Sequence, residues 1–253
     1  IFFVGGIILS VYKHTKLKEQ FVSNYKATII AEIIKYLNPE MVYTPKKFMS
    51  SMDYDKSGLY RRSYDAFTGD DYMQGIYKNV RFYCSELETA YQKGRRGINN
   101  VRIFKGLFFA LPLKIRFSSA TYIWPVDEEQ FGDALSAEPY QLLPLLSPSL
   151  YQLKAGIPRF DNNFSIYSTN ANDATSLVDP DLMEHLVSFK KQIERDIRLS
   201  FVNSILYVSI NLDEEMFQPS AANPGDKEKI KSYFFNVLLI LSIINQLNLG
   251  KYA

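Results

Sequence analysis

Alternating hydrophobic segments joined by very short connections are the feature that most constrains the fold of this chain. Apolar residues occupy every second position over residues 197–201 and again over residues 206–210, with Asn203 and Ser204 between the two runs. Successive side chains of a β-strand point to opposite faces, so a period of two predicts strands. Two such strands separated by turn-forming residues predict a β-hairpin.

The middle of the chain repeats this pattern. Residues 72–77 and 80–84 flank the turn-forming pair Lys78 and Asn79, which predicts a second hairpin. Residues 101–111 carry apolar side chains at positions of both parities. A strand with two apolar faces is expected in the centre of a sheet, where both faces are covered.

Further elements follow in the second half of the chain. Residues 121–124 and 164–167 predict two more strands. Five prolines between them indicate a long irregular excursion over residues 125–160. Asp179 followed by Pro180 predicts the start of a helix, because Asp caps free amides and Pro suits the first helical position.

A helical period precedes the strand-rich region. Over residues 16–37 apolar side chains recur every three or four positions, which predicts a helix with one buried face. Lys26 lies between the apolar positions of this pattern and is expected on the polar face. The pair Asn38 and Pro39 ends the helix, because the residue before a proline is disfavoured in the α region.

The order of these elements predicts an α+β fold built on an antiparallel sheet with flanking helices. A partly open barrel of the pleckstrin-homology type is the alternative, since about seven strands before a long C-terminal helix would also suit it. At 253 residues and 47% hydrophobic, the chain can bury a large core. The net charge of +2 gives no general attraction to nucleic acid, so we expect no such partner. The single cysteine, Cys84, excludes an internal disulfide and agrees with a reducing compartment.

The N-terminal segment has the pattern of a membrane anchor. Residues 1–12 are apolar and lead directly into a basic cluster of Lys13, His14, Lys16 and Lys18. A spanning helix needs about 20 apolar residues, so this stretch predicts only the inner end of one, with the basic cluster at the membrane interface. The positive-inside rule then places the rest of the chain in the cytoplasm. A short buried core helix is the alternative for the apolar stretch.

These patterns divide the chain into four parts. We predict the end of a transmembrane segment over residues 1–15 and a membrane-proximal helix over residues 16–40. A cytoplasmic α+β domain is predicted over residues 41–220, followed by an apolar C-terminal helix within residues 221–253.

Five blocks of sequence resemble a bacterial protein family. The blocks are SGLYRRSYDAFTGDD (57–71), SELETAYQ (85–92), IFKGLFFALPL (103–113), FSIYSTNANDATSLVDPDLMEHL (164–186) and IRLSFVNSILYVSINLDEEMF (197–217). Their order and spacing are similar to those of the bacterial domain of unknown function 3137. The resemblance implies hydrophobic segments before the domain, and hence a protein of the bacterial inner membrane with its main domain in the cytoplasm. It also implies a LemA-like membrane protein as a partner, and it supplies no established activity.

The sequence offers few residues for catalysis. It contains no motif for a phosphate-binding loop, a zinc hydrolase, a nucleophilic serine or a cysteine pair. We therefore predict no catalytic residue and no cofactor, and favour a role other than that of an enzyme. Asp65, Asp70 and Asp71 are the candidates for a divalent-cation site, because such ions bind carboxylate oxygens. Their spacing fits no calcium loop, so a solvated turn is the alternative.

The C-terminal segment predicts a docking helix. Residues 226–247 begin with the capping residue Asp226 and are apolar on every side of the helix, yet the run is too short to span a membrane. One face can pack on the chain's own domain. We therefore expect Leu239, Ile240 and Ile243, on another face, to dock a partner, a second copy or the bilayer surface.

Two functions are compatible with these observations. The first is a membrane-anchored interaction or scaffold domain that docks a membrane-protein partner or assembles with itself. The second is a cytoplasm-facing enzyme or ligand-binding domain that uses Asp65, Asp70 and Asp71. Converging polar side chains in a deep pocket would favour the second.

Overall fold

A nine-stranded antiparallel sheet forms the centre of the fold. The computed structural model describes residues 2–93, 99–126 and 150–252, and of residues 2–12 and Asn99 it describes the backbone alone. The strands are β1 (Val42–Thr44), β2 (Ala66–Tyr77), β3 (Val80–Lys93), β4 (Asn99–Pro112), β5 (Ala120–Pro125), β6 (Tyr151–Leu153), β7 (Phe164–Ser168), β8 (Ile197–Val202) and β9 (Ile205–Asn211). Most of the predicted proline-rich excursion lies at residues 127–149, outside the described residues.

The strand order is β1-β2-β3-β4-β9-β8-β5-β7-β6. The strand predicted to be central, β4, lies between β3 and β9. Each of its faces belongs to a different core, since Phe109 packs in one hydrophobic cluster and its neighbour Phe108 in the other. The prediction of a central strand is therefore confirmed.

Both predicted hairpins are present, and each turns through a pair of left-handed residues. Lys78 and Asn79 join β2 to β3 with φ angles of 49° and 66°. Asn203 and Ser204 join β8 to β9 with φ angles of 52° and 60°. Two consecutive positive φ values define the type I′ turn, whose twist matches that of the strands it connects.

The sheet is open. Its two edge strands, β1 and β6, have three residues each, and within the described residues they do not pair with one another. The antiparallel sheet of the α+β prediction is confirmed, and of the two predicted architectures the barrel is not the one formed. Such short edges offer few free backbone groups to another chain.

Helices flank the sheet. They are α1 (Phe2–Tyr25), continued without a break by a π-helical segment (Lys26–Ile30) and α2 (Ala31–Leu37), and then α3 (Ser51–Ser57), α4 (Pro158–Asp161), α5 (Ala171–Leu177), α6 (Pro180–Ile193), α7 (Lys227–Gln246) and a final 3-10 turn (Leu249–Tyr252). The N-terminal helix ends at Asn38, which is extended as predicted. Asp179 and Asp226 cap α6 and α7, accepting hydrogen bonds from the amides of Leu182 (2.8 Å) and Glu228 (3.0 Å).

Two hydrophobic cores lie on opposite faces of the sheet. The larger core contains the buried side of the N-terminal helix together with α6 and α7. The smaller core is rich in aromatic side chains and includes Tyr54 of α3 with Tyr122 and Trp124 of β5. Cys84 is fully buried in the larger core, where burial raises the pKa of its thiol. This thiol is therefore inert at neutral pH.

The side chains of α7 are distributed differently from the prediction. Ile240 and Ile243 are fully buried in the larger core, and Leu239 is partly buried against it. A side chain inside the core cannot also dock a partner while the domain is folded, so the docking assignment does not fit Ile240 or Ile243. The exposed apolar residues of α7 are Phe235 and Leu238, which are 67% and 45% exposed.

Over the described residues, none of the helices combines the length and the apolar character that crossing a membrane requires.

Candidate functional site

A buried cluster of charged side chains connects the N-terminal helix to the sheet. The ammonium nitrogen of Lys26 donates hydrogen bonds to Oδ2 of Asp70 and to Oδ2 of Asp71, both at 2.6 Å. Lys26 is 3% exposed and Asp71 is completely buried, whereas Asp70 is partly exposed. The helix and β2 are therefore joined by an ion pair that is largely removed from water.

An irregularity in β2 allows both aspartates to reach the same lysine. Neighbouring residues of a regular strand point to opposite faces, so Asp70 and Asp71 would normally diverge. The pairing of β2 with β3 shifts register between Asp70 and Met73, and Asp71 has a left-handed φ of 55°. The Asp71 amide donates to the carbonyl of Pro45 at 3.0 Å. This is the geometry of a β-bulge, which redirects a side chain.

Two further strands contribute to the cluster. Tyr43 of β1 donates a hydrogen bond from its hydroxyl to Oδ1 of Asp71. Glu86 of β3 lies directly opposite Asp70 in the ladder and is 6% exposed. Its Oε1 accepts a hydrogen bond from the Met216 amide at 2.7 Å. The cluster thus holds together the N-terminal helix, three strands and the loop that precedes α7.

The helix changes its hydrogen-bonding pattern where it enters the cluster. Lys26 is the first residue of the π-helical segment, and α-helix continues on both sides. π-Helical insertions are rare and recur at functional sites. The insertion rotates the following residues relative to a regular α-helix, and in this chain it accompanies the burial of both Lys26 and Ile30.

The electrostatics of the cluster favour a protonated lysine and weaken the acidity of two carboxyls. Burial alone would lower the pKa of Lys26, but the carboxylates of Asp71 and Asp70 outweigh burial and raise it. Burial, with the nearby charge of Asp70, raises the pKa of Asp71 to about 7, although Lys26 and Tyr43 act in the opposite direction. Burial and the charge of Asp71 raise the pKa of Glu86 to about 8. Glu86 is therefore largely protonated at neutral pH.

A divalent cation and the lysine compete for the same oxygens. Carboxylate oxygens of Asp70, Asp71 and Glu86 lie within 4.8 Å of one another, which is compatible with coordination of one ion. The ammonium of Lys26 already pairs with both aspartates at 2.6 Å. A cation would have to displace a buried, hydrogen-bonded lysine, so the arrangement is better suited to joining two elements than to holding a metal.

The structure brings together two of the three predicted acidic residues. Asp65 lies apart, where its Oδ2 accepts a hydrogen bond from the Gln92 amide at 2.7 Å. Lys26, Tyr43 and Glu86 complete the cluster and are not among the predicted site residues. The expectation that Lys26 faces solvent is wrong.

A sequence signal for Lys26 existed. Lys26, Ile30, Ile33 and Leu37 follow one another at intervals of four, three and four residues, which is the spacing of one helix face. The alternative face through Tyr25 and Ile29 contains more apolar residues, so the pattern favours burial of that face. Nothing in the local pattern of β3 distinguishes Glu86 from a solvated glutamate.

The predicted interface residues lie on the part of the helix that precedes the core. Lys13, His14, Lys16 and Lys18 are all exposed, as is every other residue over positions 13–20. Residues 21–23 are partly buried, and among the side chains described from residue 13 onwards Tyr25 is the first buried one of the helix.

The chain matches the model of one protein family. The model of DUF3137, described as a protein of unknown function, matches residues 102–249, which is more than half of the chain. The chain belongs to this family. The DUF3137 match begins in β4 and ends just after α7, so Lys26, Tyr43, Asp70, Asp71 and Glu86 all precede it. No curated protein sequence matches the chain.

Among solved structures, the crystal structure of the mycobacterial trehalose monomycolate transport factor A, TtfA, is similar to this chain with a TM-score of 0.39 and 11% sequence identity. The match covers 86% of this chain and 93% of that one. A TM-score this low does not establish a common fold, and no property of this chain follows from it.

Proposed function

We propose that this member of DUF3137 is a membrane-associated interaction module. Its N-terminal helix holds the α+β domain at the cytoplasmic face of a bacterial inner membrane, and the domain binds a protein partner or a second copy of itself. The observation that carries this proposal is the continuous N-terminal helix, which begins in an apolar sequence, passes through an exposed basic stretch and ends in the core of the domain.

The basic stretch supports membrane association. Lys13, His14, Lys16 and Lys18 follow directly after the apolar residues 1–12, and all four are exposed. Basic residues that stand clear of the protein surface can approach anionic lipid headgroups, which attract each of them by about 1 kcal/mol. A helix of residues 2–20 would separate its start from the core by roughly 28 Å, at 1.5 Å per residue.

The buried cluster supports a firm connection between helix and domain. Lys26 joins the helix to β2 through two charged hydrogen bonds, and Tyr25 donates from its hydroxyl to the carbonyl of Pro224 at 3.0 Å. Because these side chains fix the helix to the domain, the orientation of the helix also sets the orientation of the sheet. Such a connection suits a domain that must be held in one orientation relative to a membrane.

Exposed apolar side chains on the helix pair α2 and α7 support the proposal of a surface for a protein partner. Tyr36 of α2 is 79% exposed and stacks edge-on against Phe234 of α7, with ring centres 6.4 Å apart. Phe235 and Leu238 are exposed on the same helix as Phe234. The family resemblance suggests a LemA-like membrane protein as one candidate partner for this surface.

The alternative of an enzyme or ligand-binding domain has less support. Asp65 is separate from the other two aspartates, and Lys26 already pairs with Asp70 and Asp71. A catalytic carboxylate must reach its substrate, whereas Asp71 is fully buried behind Tyr43 and Lys26.

Vesicle flotation tests membrane association. The full chain should float with vesicles of phosphatidylglycerol and phosphatidylethanolamine, and a variant with Lys13, Lys16 and Lys18 changed to Glu should float less. The matched control changes three exposed lysines elsewhere, Lys46, Lys56 and Lys227, to Glu and should float like the wild type. A wild type that stays unbound, or equal losses in both variants, would show that the N-terminal segment does not associate with membranes.

A further inference from the structure

Arg61 lies against two aromatic rings of the smaller core, those of Tyr122 and Trp124, which we call the aromatic floor. Its guanidinium carbon is 5.5 Å from the centre of the Tyr122 ring and 5.3 Å from the centre of the Trp124 ring. These two rings belong to β5 and are 5.1 Å apart. A guanidinium at these distances is attracted by the ring faces and is held in one orientation by them.

The backbone that presents Arg61 is also fixed to the sheet. Ser200 of β8 donates from its hydroxyl to the carbonyl of Ser57 at 2.6 Å. Arg198, two residues earlier on β8, donates from Nη1 to the carbonyl of Leu59 at 2.8 Å. The chain just before Arg61 is therefore positioned by hydrogen bonds, so the guanidinium would lose little freedom on binding a ligand.

Among the described residues, the positive charge of Arg61 is not balanced by an acidic side chain. Within the part of the chain that the structure describes, no carboxylate forms an ion pair with it. Its Nε is buried and has no hydrogen-bond partner, whereas the terminal nitrogens are not among the buried unpaired atoms. Arg61 as a whole is only partly buried, so part of its side chain reaches solvent. Burial lowers the pKa of this guanidinium, which reflects the cost of desolvating its charge.

We propose that the Nη edge of Arg61 is a binding site for an oxyanion, a phosphate or carboxylate group carried by a ligand. Partly buried charges in proteins are normally paired, and a guanidinium binds two oxygens of such groups in parallel. The rings of Tyr122 and Trp124 form the floor of the site and exclude water from one side of the pair.

The next residue provides a matched control. Arg62 also lies over an aromatic ring, with its guanidinium carbon 3.5 Å from the centre of the Tyr91 ring, but it is exposed. Stacking on a ring is therefore common to both arginines, and partial burial of the charge distinguishes Arg61. If stacking alone produced anion binding, the two positions would behave alike.

The fluorescence of Trp124 reports directly on this site, because it is the only tryptophan of the chain. Inorganic phosphate and acetate are titrated separately at constant ionic strength, with chloride as the reference anion. We expect a saturable change with at least one of the two, and the one that saturates at lower concentration identifies the preferred group. Arg61→Gln should abolish the change, Arg61→Lys should weaken binding roughly tenfold through loss of the two-point geometry, and Arg62→Gln should retain it.

Two results would overturn the proposal. One is a response of the wild type to phosphate and acetate no larger than its response to chloride, which needs no variant to observe. The other is a saturable response that persists unchanged in Arg61→Gln. Circular dichroism establishes whether each variant is folded. If Arg61→Gln is unfolded, the comparison of phosphate and acetate with chloride in the wild type still tests the proposal.

Discussion

Lys26 can be buried because its ammonium group forms ion pairs with two aspartates. An isolated buried ion is very costly, and removing one member of a buried pair typically costs 3–5 kcal/mol because the other is left uncompensated. Here one ammonium faces Asp70 and Asp71 on one side, while Glu86 nearby adds a third acidic group. The cluster therefore has an excess of acidic groups and takes up protons to balance it.

This excess predicts the pH dependence of stability. The pKa of Asp71 is about 7 and that of Glu86 about 8, both above their ordinary values, so the folded state binds more protons than the unfolded state over about pH 4 to 8. The stabilisation is complete below the ordinary carboxyl pKa and is lost as the pH rises through the folded pKa. Urea denaturation should therefore give a free energy of unfolding that falls by several kcal/mol from pH 5 to pH 9, since both groups contribute.

Glu86→Gln should flatten this pH profile, because the amide cannot ionise yet its oxygen can still accept from the Met216 amide. Glu88→Gln on the same strand is the control, since Glu88 is partly exposed and should leave the slope unchanged. A free energy of unfolding that rises over this pH range would show that the cluster does not hold these protons. An unchanged slope in Glu86→Gln would assign the effect to other groups.

At the scale of elements, the strands and hairpins could be predicted because their signals are local. The turn pairs Lys78-Asn79 and Asn203-Ser204 lie between alternating segments, and both form the predicted hairpin turns with left-handed angles. The bulge at Asp71 and the burial of Lys26 could not be predicted in this way. Each depends on a residue more than 40 positions away in sequence, as the separation of 45 between Lys26 and Asp71 illustrates.

The orientation of the C-terminal helix could not be predicted from local sequence either. A helix that is apolar on every side does not reveal from sequence alone which side faces the core. The larger core takes the side that contains Val237, Ile240 and Ile244, and leaves Phe235 and Leu238 exposed. The prediction from residue type was therefore right about an exposed apolar surface on this helix and wrong about two of the residues that form it.

Substitutions on α7 test this orientation. Ile240→Lys should destabilise the domain by about 3 kcal/mol or more, because a charge would replace a fully buried side chain. Leu238→Lys should have a much smaller effect on stability, because Leu238 is 45% exposed and a lysine there can reach solvent. Thermal or urea denaturation compares the two variants. Equal effects at both positions would mean that α7 packs on the sheet through another face.

At the scale of the whole molecule, the buried cluster links the N-terminal helix to the sheet. The helix contacts the larger core through Tyr25, Ile30, Ile33 and Ile34, and Lys26 adds an ionic link to β2 within that apolar contact. The part of the chain that matches DUF3137 starts only at residue 102, so this link couples the matched region, through Glu86 and Met216, to the segment proposed to approach the membrane.

Hydrogen exchange in Lys26→Met tests this coupling most directly. We expect the amides of residues 26–37 to be strongly protected in the wild type and to exchange much faster in the variant at pH 8, with a smaller difference at pH 5.5, where the carboxyls can protonate. Lys35→Met changes an exposed lysine of the same helix and should behave like the wild type. Equal protection of residues 26–37 in wild type and Lys26→Met at both pH values would contradict the central role of Lys26 in fixing the helix to the sheet.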